Sequence, residues 1–328
     1  MAVIGRGHTA AACAALEAVG KLDHEGRTIP ALAELLTSTD RSILSALVRA
    51  LVFMAKAKGA GLWSSLDQTR WLETLSEMVR DEDRATRSAA VRGLGLLGHR
   101  RGTRPILSAY RAMKDPTDDE TDQTIRALAE TGDTDVLIKA AELDEDRVSD
   151  AAIQALGRLQ CREAVTVLDG IRRRSWDWRR RKVALGALAQ IGTDQALAMV
   201  CDGVEDATGY VRSEAVRLIS ESGRTGYVRR VLARLQSERY EDVRLEMAKA
   251  LLRAGTQDVM IELVGLLRYG RAPVRETAAW AIGTVRLPEG LDPLAKTMND
   301  PEWQVRRAVV ESLSATRMSR RCACCWSP

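Results

Sequence analysis

The segment IRRRSWDWRRRK, residues 171–182, brings together side chains that can bind an anion and pack against a flat group. It contains seven basic residues, two tryptophans and one acid. Guanidinium groups form paired hydrogen bonds with carboxylates and phosphates, and tryptophan is a frequent anchor at protein interfaces. The candidates, which we call the basic rim patch, are Arg172, Arg173, Arg174, Trp176, Arg179 and Arg180. We expect the patch to bind an acidic protein surface or a phosphate group, with a solvated basic turn as the alternative.

Histidine and cysteine supply most metal ligands in proteins, and this chain has few of them in useful positions. The histidines are His8, His24 and His99. A terminal cluster of cysteines is formed by Cys322, Cys324 and Cys325. The cluster could bind a soft metal or carry a lipid, but a disordered tail with three thiols is the simpler interpretation. We therefore predict no metal, no cofactor and no catalysis.

The charges are nearly balanced, with 49 Lys and Arg against 45 Asp and Glu in 328 residues. This balance argues against a protein built wholly around a polyanion. We find no secretory signal, no disulfide framework and no apolar run near the roughly 18 residues of a membrane span. These features predict a soluble, cytoplasmic protein.

A repeat of about 31 residues organises most of the chain. The repeated stretches are YVRSEAVRLIS, DVRLEMAKALL, PVRETAAWAIG and QVRRAVVESLS, with arginines Arg212, Arg244, Arg275 and Arg306 spaced by 32, 31 and 31 residues. The register extends back through Arg181, Ser149, Thr121 and Arg87. Apolar residues 3, 4, 7 and 10 positions later form one stripe on a helix, a glycine often follows, and a shorter apolar helix comes next. Because one helical hairpin cannot bury its own stripe, we predict an all-α solenoid of stacked hairpins.

The Val-Arg pair, the A-x-x-A-L-G-like helix and the period resemble the HEAT-repeat superfamily, in particular short HEAT-like repeats of the phycobilisome-lyase type. We predict degenerate repeats over 1–55, an inserted loop at 56–69, the main array over 70–317 and a cysteine-rich tail at 318–328. We expect the first repeat to lack its first helix. We expect a partner or a second copy of the chain to cover the exposed apolar face.

The resemblance also implies a ladder of charge-assisted hydrogen bonds between stacked repeats. In the family pattern, an acid in the turn precedes an arginine by four residues. The pairs with this spacing are Asp83 with Arg87, Asp177 with Arg181 and Glu302 with Arg306. The other expected ladder arginines are Arg212, Arg244 and Arg275. Trp178 is expected to help hold neighbouring repeats together.

Second helices of such solenoids usually line a concave groove. The helix face opposite the apolar stripe carries eight basic and six acidic residues, interleaved along the array. Mixed charge favours a protein or peptide partner over duplex DNA, with a merely solvated face as the alternative. Trp280, with Arg217, Lys249 and Arg253 as basic neighbours, is a candidate anchor unless it packs between repeats.

These features favour a non-catalytic scaffold that binds a protein partner through the groove and the basic rim patch. The alternatives are a HEAT-like enzyme acting on DNA or a bilin chromophore, and non-catalytic binding of nucleic acid. Trp280, Glu276 and Arg217 have the residue types of an alkylpurine glycosylase. HEAT-repeat deoxyhypusine hydroxylases need several His-Glu pairs, and this chain has only His24-Glu25, which excludes that activity.

Overall fold

In this computed structural model, the described residues are 9–22, 32, 35, 40–58, 68–255, 257–285 and 288–324. All regular elements in these ranges are helices, which confirms the predicted all-α fold. The chain divides into two compact units, Met1–Leu168 and Asp169–Pro328, with the division inside one helix, Val165–Arg174. None of the described helices has the length and apolar character needed to cross a membrane.

The first unit is a series of helical hairpins. Its helices are α1 (Thr9–Leu22), α2 (Arg41–Lys58), α3 (Gln68–Met78), α4 (Arg84–Leu97), α5 (Thr103–Ala112), α6 (Asp118–Thr131), α7 (Thr134–Ala141) and α8 (Asp146–Arg158). The hairpins are α3 with α4, α5 with α6, and α7 with α8. The second helices α4, α6 and α8 pack in a row that begins with α2, and α1 packs against α2.

The second unit repeats this arrangement. After α9 (Val165–Arg174) come α10 (Trp178–Ile191), α11 (Asp194–Asp202), α12 (Gly209–Glu221), α13 (Val228–Ser237), α14 (Glu241–Ala254), α15 (Gln257–Tyr269), α16 (Ala272–Val285), α17 (Pro288–Lys296) and α18 (Trp303–Cys324). The second helices α10, α12, α14, α16 and α18 pack each on the next. The turns between first and second helices therefore follow one another along one side of the unit, which we call the turn edge.

The predicted apolar stripes form the core. In α10, Ala184, Leu185 and Leu188 have no exposed surface, and Ile191 is buried at the end of the helix. Neighbouring second helices approach closely, since a Cβ atom added at Gly283 would overlap the Ser312 side chain. Each hairpin thus buries its stripe against its neighbours.

The helix ends also follow the sequence. The predicted left-handed caps are confirmed at Gly98, Gly132, Gly192 and Gly255, where φ lies between 61° and 68°. Helix α6 begins with a capping box, in which the Thr117 hydroxyl accepts from the Glu120 N–H and the Glu120 carboxylate accepts from the Thr117 N–H. Such caps satisfy N–H groups that have no partner within the helix.

Several sequence predictions involve residues outside the described ranges. The predicted inserted loop, 56–69, is described only where α2 ends at Lys58 and α3 begins at Gln68. The degenerate N-terminal repeats are represented by α1 and α2, while 1–8, 23–31 and most of 33–39 are not described. The backbone of α18 continues to Cys324, and 325–328 lie outside the described residues. The domain limits and the disordered tail therefore stay predictions.

Candidate interaction surface

A ladder of buried and partly buried ion pairs joins the turns of the second unit. Arg212, at the start of α12, donates from Nε and Nη2 to the two carboxylate oxygens of Glu238, each at 2.7 Å. Glu238 lies 26 residues later, in the turn of the following repeat. The Arg212 side chain is 3% exposed and that of Glu238 is 0% exposed, so the pair is buried within the unit.

Two further pairs have the same geometry. Arg181 donates to both carboxylate oxygens of Asp206 at 2.9 Å, and Arg275 donates to both of Asp300 at 2.7 Å. In each pair the acid lies in the next turn, 25 residues after the arginine. Paired hydrogen bonds between guanidinium and carboxylate are among the strongest and most directional in proteins.

The same arginines hold the turns from within. Arg212 Nη1 donates to the carbonyl oxygens of Asp206 and Ala207, six and five residues earlier. Arg181 makes the equivalent bonds in its own turn to Ser175 and Trp176. Each arginine thus fixes the backbone of one turn and is itself held by the acid of the next. Arg306 and Arg87 hold their own turns in the same way.

The expected ladder of acids four residues before the arginines is corrected by this geometry. Asp83 and Asp177 instead cap α4 and α10, accepting hydrogen bonds from the N–H groups of Thr86 and Arg179. Glu302 is exposed, and its own N–H donates to Asp300. The pairing acid lies six residues before the arginine position of its own repeat and binds the arginine of the preceding repeat.

The ladder shifts the pKa values of its acids. Burial alone would raise the pKa of Glu238, but the hydrogen bonds from Arg212 and from nearby backbone N–H groups lower it overall. Hydrogen bonds from Arg275 similarly lower the pKa of Asp300 below its usual range. Both acids are therefore held in the charged form that the arginines need.

Aromatic side chains stand at the turn edge in each repeat of the second unit. The set, which we call the aromatic edge, comprises Trp176, Trp178, Tyr210, Tyr240, Tyr269 and Trp303. Trp178 is half-buried, and the other five are between 56% and 89% exposed. Scattered exposed apolar residues are ordinary, but a row of large rings repeated along one edge is typical of an interaction surface.

Neighbouring groups hold several of these rings in place. Trp178 stacks on Tyr210 of the next repeat, with ring centroids 5.1 Å apart. The Arg179 guanidinium lies 4.8 Å from the centre of the Trp178 ring, and Arg307 lies 5.4 Å from that of Trp303. Contacts between a cation and a ring face are attractive and limit motion of both groups. The Trp178 stack also agrees with the expected role of this residue between repeats.

The basic rim patch divides into buried and exposed parts. Arg172 is 7% exposed, and its Nε and Nη2 donate to Asp169 Oδ1 at 2.9 and 2.6 Å. Arg173 pairs with the other oxygen of Asp169 at 2.8 Å. Arg172 is therefore not a free surface charge, contrary to the expectation of five available arginines. Arg174, Arg179 and Trp176 are exposed, and Arg180 is half-buried.

The mixed-charge face of the second helices contains several ion pairs between its own residues. Arg217 pairs with Glu214 and Glu221, at 2.6 and 2.8 Å. Lys249 and Arg253 both reach Glu246, and Arg253 also donates to Ser220. The charges expected to surround Trp280 are thus already engaged with acids of their own face.

Trp280 itself is half-buried on α16. The cation–ring contacts within the described ranges involve Tyr110, Trp178, Tyr240 and Trp303 rather than Trp280. Glu276, the acid of the glycosylase-like set, lies 3.5 Å from Arg307. Trp280 stays a candidate anchor, without the basic surroundings that the sequence suggested.

Sequence reasoning missed Tyr210, Tyr240, Tyr269 and Trp303 as surface candidates. These rings precede the repeat arginines by two, four, six and three residues, so they form no fixed column in the aligned repeats. A search for any aromatic residue in the turn, rather than at one position, would have found them. The structure unites them because all of these positions lie in or beside the same turn.

The turns of the first unit have different chemistry. Acids predominate there, in the stretches DED (81–83), DPTDDE (115–120) and DED (144–146). Tyr110, beside the second of these turns, is 2% exposed and is covered by Arg147, whose guanidinium lies 5.2 Å from the ring centre. Across the described part of the chain, no group of three or more His, Cys, Asp or Glu residues is arranged to hold a metal ion.

Comparison with known proteins finds a family match in two regions of the chain. The family model for HEAT repeats matches residues 134–220 and 263–323. No curated protein matches the chain. Among solved structures, an engineered protein of the Northeast Structural Genomics Consortium is 17% identical, with a TM-score of 0.42 over 96% of this chain and 97% of that one.

A mutant of Kap121p is 14% identical to this chain, with a TM-score of 0.42. The match covers 88% of this chain and 41% of the Kap121p chain. The match to the HEAT-repeat family covers residues 134–220 and 263–323, in a chain whose described part is an all-α series of stacked helical hairpins.

Proposed function

We propose that this chain is a non-catalytic scaffold that binds a protein partner along the aromatic edge of its second unit. The observation that carries the proposal is the row of five exposed rings in consecutive repeats. Trp and Tyr bury large areas and lose little conformational freedom, so they are over-represented among residues that dominate binding energy. The ladder arginines fix the turns that present them, which lowers the entropic cost of binding.

The charge pattern favours a protein over a polyanion. Binding of duplex DNA depends on cations that are free to neutralise phosphates. Here Arg217, Lys249 and Arg253 are paired with acids on their own face. At the turn edge, exposed cations such as Arg174 and Arg239 alternate with exposed acids such as Glu241. Such mixed charge suits a protein surface with complementary groups.

The basic rim patch has a narrower role in this proposal than its sequence suggests. Arg172 is committed to Asp169, so the contribution comes from Trp176, Arg174 and Arg179. Trp176 is 89% exposed, the most exposed ring of the aromatic edge. We propose that these three residues form one end of the binding surface.

The test is affinity capture with wild-type protein and a triple variant, Trp176→Ala, Tyr240→Ala and Trp303→Ala. These rings are exposed, so their removal should leave the fold intact. The matched control is Ile261→Ser, since Ile261 is 64% exposed on a first helix of the same unit. We expect the proteins retained by wild type and the control to be lost from the triple variant. Equal retention by all three would contradict the proposal.

Nucleic acid is the competing partner because stacked rings beside arginines also bind unpaired bases. Trp178, Tyr210 and Arg179 have that arrangement. Salt titration separates the two classes, since binding to nucleic acid weakens by several decades between low and moderate salt. If the partner stays bound after nuclease treatment and in moderate salt, protein binding is supported. If the partner is lost under both conditions, the chain binds nucleic acid instead of a protein.

A further inference from the structure

The ladder of the second unit has one position without its acid. In three rungs, the Nε and Nη2 groups of Arg181, Arg212 and Arg275 hold a carboxylate from the next turn. Arg244 occupies the same place in its own repeat, and its Nη1 donates to the Arg239 carbonyl at 2.8 Å. The residue 25 positions later, where Asp206 and Asp300 stand relative to their arginines, is Tyr269.

Arg244 has no carboxylate partner among the described residues. Its Nε donates to the neutral Thr277 hydroxyl at 3.3 Å, a longer bond than those to the acids of the other rungs. Nη2 makes no hydrogen bond to any residue that the structure describes. The residue is only 5% exposed, so its charge is mostly removed from water without a compensating anion. Burial of an uncompensated charge is costly, and a carboxylate would relieve that cost.

The residues that flank this rung are exposed, and several of them are basic. Tyr269 is 86% exposed, so its ring gives little cover to the turn. Arg268 and Arg271, which flank it, are exposed, and Arg271 donates to the Gln236 carbonyl of the preceding turn. Tyr240, 57% exposed, stands at the turn before Arg244. The rung therefore lies within the aromatic edge, between two of its exposed rings.

We propose that Arg244 binds a carboxylate of the partner, so that an acidic segment of a protein completes the missing rung. The inference rests on the proposed function and adds the chemistry of its partner. The Nε and Nη2 groups of Arg244 donate to the partner's carboxylate, as the same groups of Arg212 donate to Glu238 within the chain. Tyr240 and Tyr269 pack against the segment on either side of the bound acid.

A single substitution tests the proposal by supplying the acid from within the chain. Tyr269→Asp places a carboxylate 25 residues after Arg244, as in the rungs of Arg181 and Arg275. Tyr269→Asn is the matched control, because it removes the same ring without adding charge. The probe is a fluorescein-labelled peptide of alternating Glu and Gly, with the Gln and Gly peptide as its uncharged control.

We expect Tyr269→Asp to raise the thermal midpoint above that of Tyr269→Asn, because it fills the rung. We also expect it to weaken binding of the Glu peptide by at least about tenfold relative to Tyr269→Asn, as expected when a charge-assisted bond is lost. Equal affinity of the two variants, or equal affinity of wild type for the Glu and Gln peptides, would overturn the inference.

The two proposals fail in different ways. If the triple aromatic variant loses its partner but Tyr269→Asp and Tyr269→Asn bind the Glu peptide equally, the aromatic edge stands and the carboxylate site is rejected. If the triple variant keeps its partner, the proposed function itself fails.

Discussion

The two units are built from the same hairpin, but their turn edges differ in chemistry. In the second unit, Arg181, Arg212 and Arg275 form buried or partly buried pairs with the acids of neighbouring turns, and aromatic rings remain at the surface. In the first unit, most turn acids are exposed. The difference shows that one repeat can present either an acidic or an aromatic edge, depending on what holds its turns.

The residue at the repeat arginine position explains much of this contrast. In the first unit that position holds Thr121 and Ser149 after Arg87. Ser149 is buried and donates to the Ala141 carbonyl, and Arg147 donates to carbonyls of the preceding hairpin. Those bonds need no carboxylate, and the acids of these turns cap helices, face solvent or, as with Glu120 and Glu145, pair with Arg84 and Arg111.

The largest expected effect comes from breaking the ladder. Arg212→Gln removes the closer, bidentate counter-ion of buried Glu238 and leaves only Arg234, 3.7 Å away, and we expect a loss of about 3 kcal/mol in the stability of the second unit. The matched variant is Arg87→Gln, which removes bonds to carbonyl oxygens only, and we expect about 1–2 kcal/mol. Hydrogen exchange of the intact chain measures both. Equal losses would remove the distinction between the two units.

Acid should weaken the same rung, with a smaller effect because a protonated carboxyl still forms hydrogen bonds. The pKa of Glu238 is lowered from 4.5 in the folded protein. Its contribution is therefore fully present above the unfolded value and is lost as pH falls through the lowered value. Glu238→Gln should flatten this part of the pH dependence in the second unit. If the stability of Glu238→Gln falls with decreasing pH as steeply as that of wild type, Glu238 is not the group responsible.

The aromatic edge should dominate binding over the equivalent edge of the first unit. We expect Trp176→Ala to weaken binding of the captured partner by about 2 kcal/mol, as for an aromatic residue that dominates an interface. Leu143→Ala changes an exposed apolar residue at a turn of the first unit and should change affinity by less than about 0.5 kcal/mol. Calorimetry with the purified partner measures both, and a larger effect at Leu143 would reverse the comparison.

In the first unit, an acidic turn should stabilise the fold through its capping box. Thr117→Ala removes the side-chain cap of α6 and should cost about 1 kcal/mol. Thr117→Ser keeps the hydroxyl and serves as the control. Glu120 also joins α6 to α4 through two bonds from Arg84, which lower its pKa to about 2. Hydrogen exchange of α6 measures the loss, and no difference between the variants would exclude the cap.

The smallest effect is expected at the ion pairs of the second-helix face. Arg217 is 40% exposed and pairs with two acids. Arg217→Ala should change stability by about 0.5 kcal/mol or less, because solvent screens exposed pairs. A thermal shift comparable with that of Arg212→Gln would show that this face, rather than the turn edge, holds the repeats together.

Much of the fold could be predicted because its signals are local and repeated. The period, the apolar stripe and the glycine caps gave the hairpins and their core. The narrower resemblance to the phycobilisome-lyase type stays a prediction, as do the N-terminal self-association and the cytoplasmic location. The ladder was only partly predicted, because its acids contact arginines of the preceding repeat. Their constant position six residues before the next repeat arginine does not by itself show which arginine they bind.

The surface was harder to predict for two physical reasons. The rings of the aromatic edge shift by up to four positions between repeats, and only the folded turn brings them to one side. Charge alone did not show that Arg172 is buried, although Asp169 stands three residues before it on the same helix. Trp176, in contrast, was found from its setting among arginines and tryptophans.

The central claim is that a protein partner binds the aromatic edge of the second unit. Its most direct test is photo-crosslinking in cells, with a crosslinking amino acid placed at Tyr240 or Trp303 and, for comparison, at Leu143 of the first unit. We predict a discrete protein adduct from the first two positions and none from the third. An adduct from Leu143 alone, or adducts only to nucleic acid, would contradict the account.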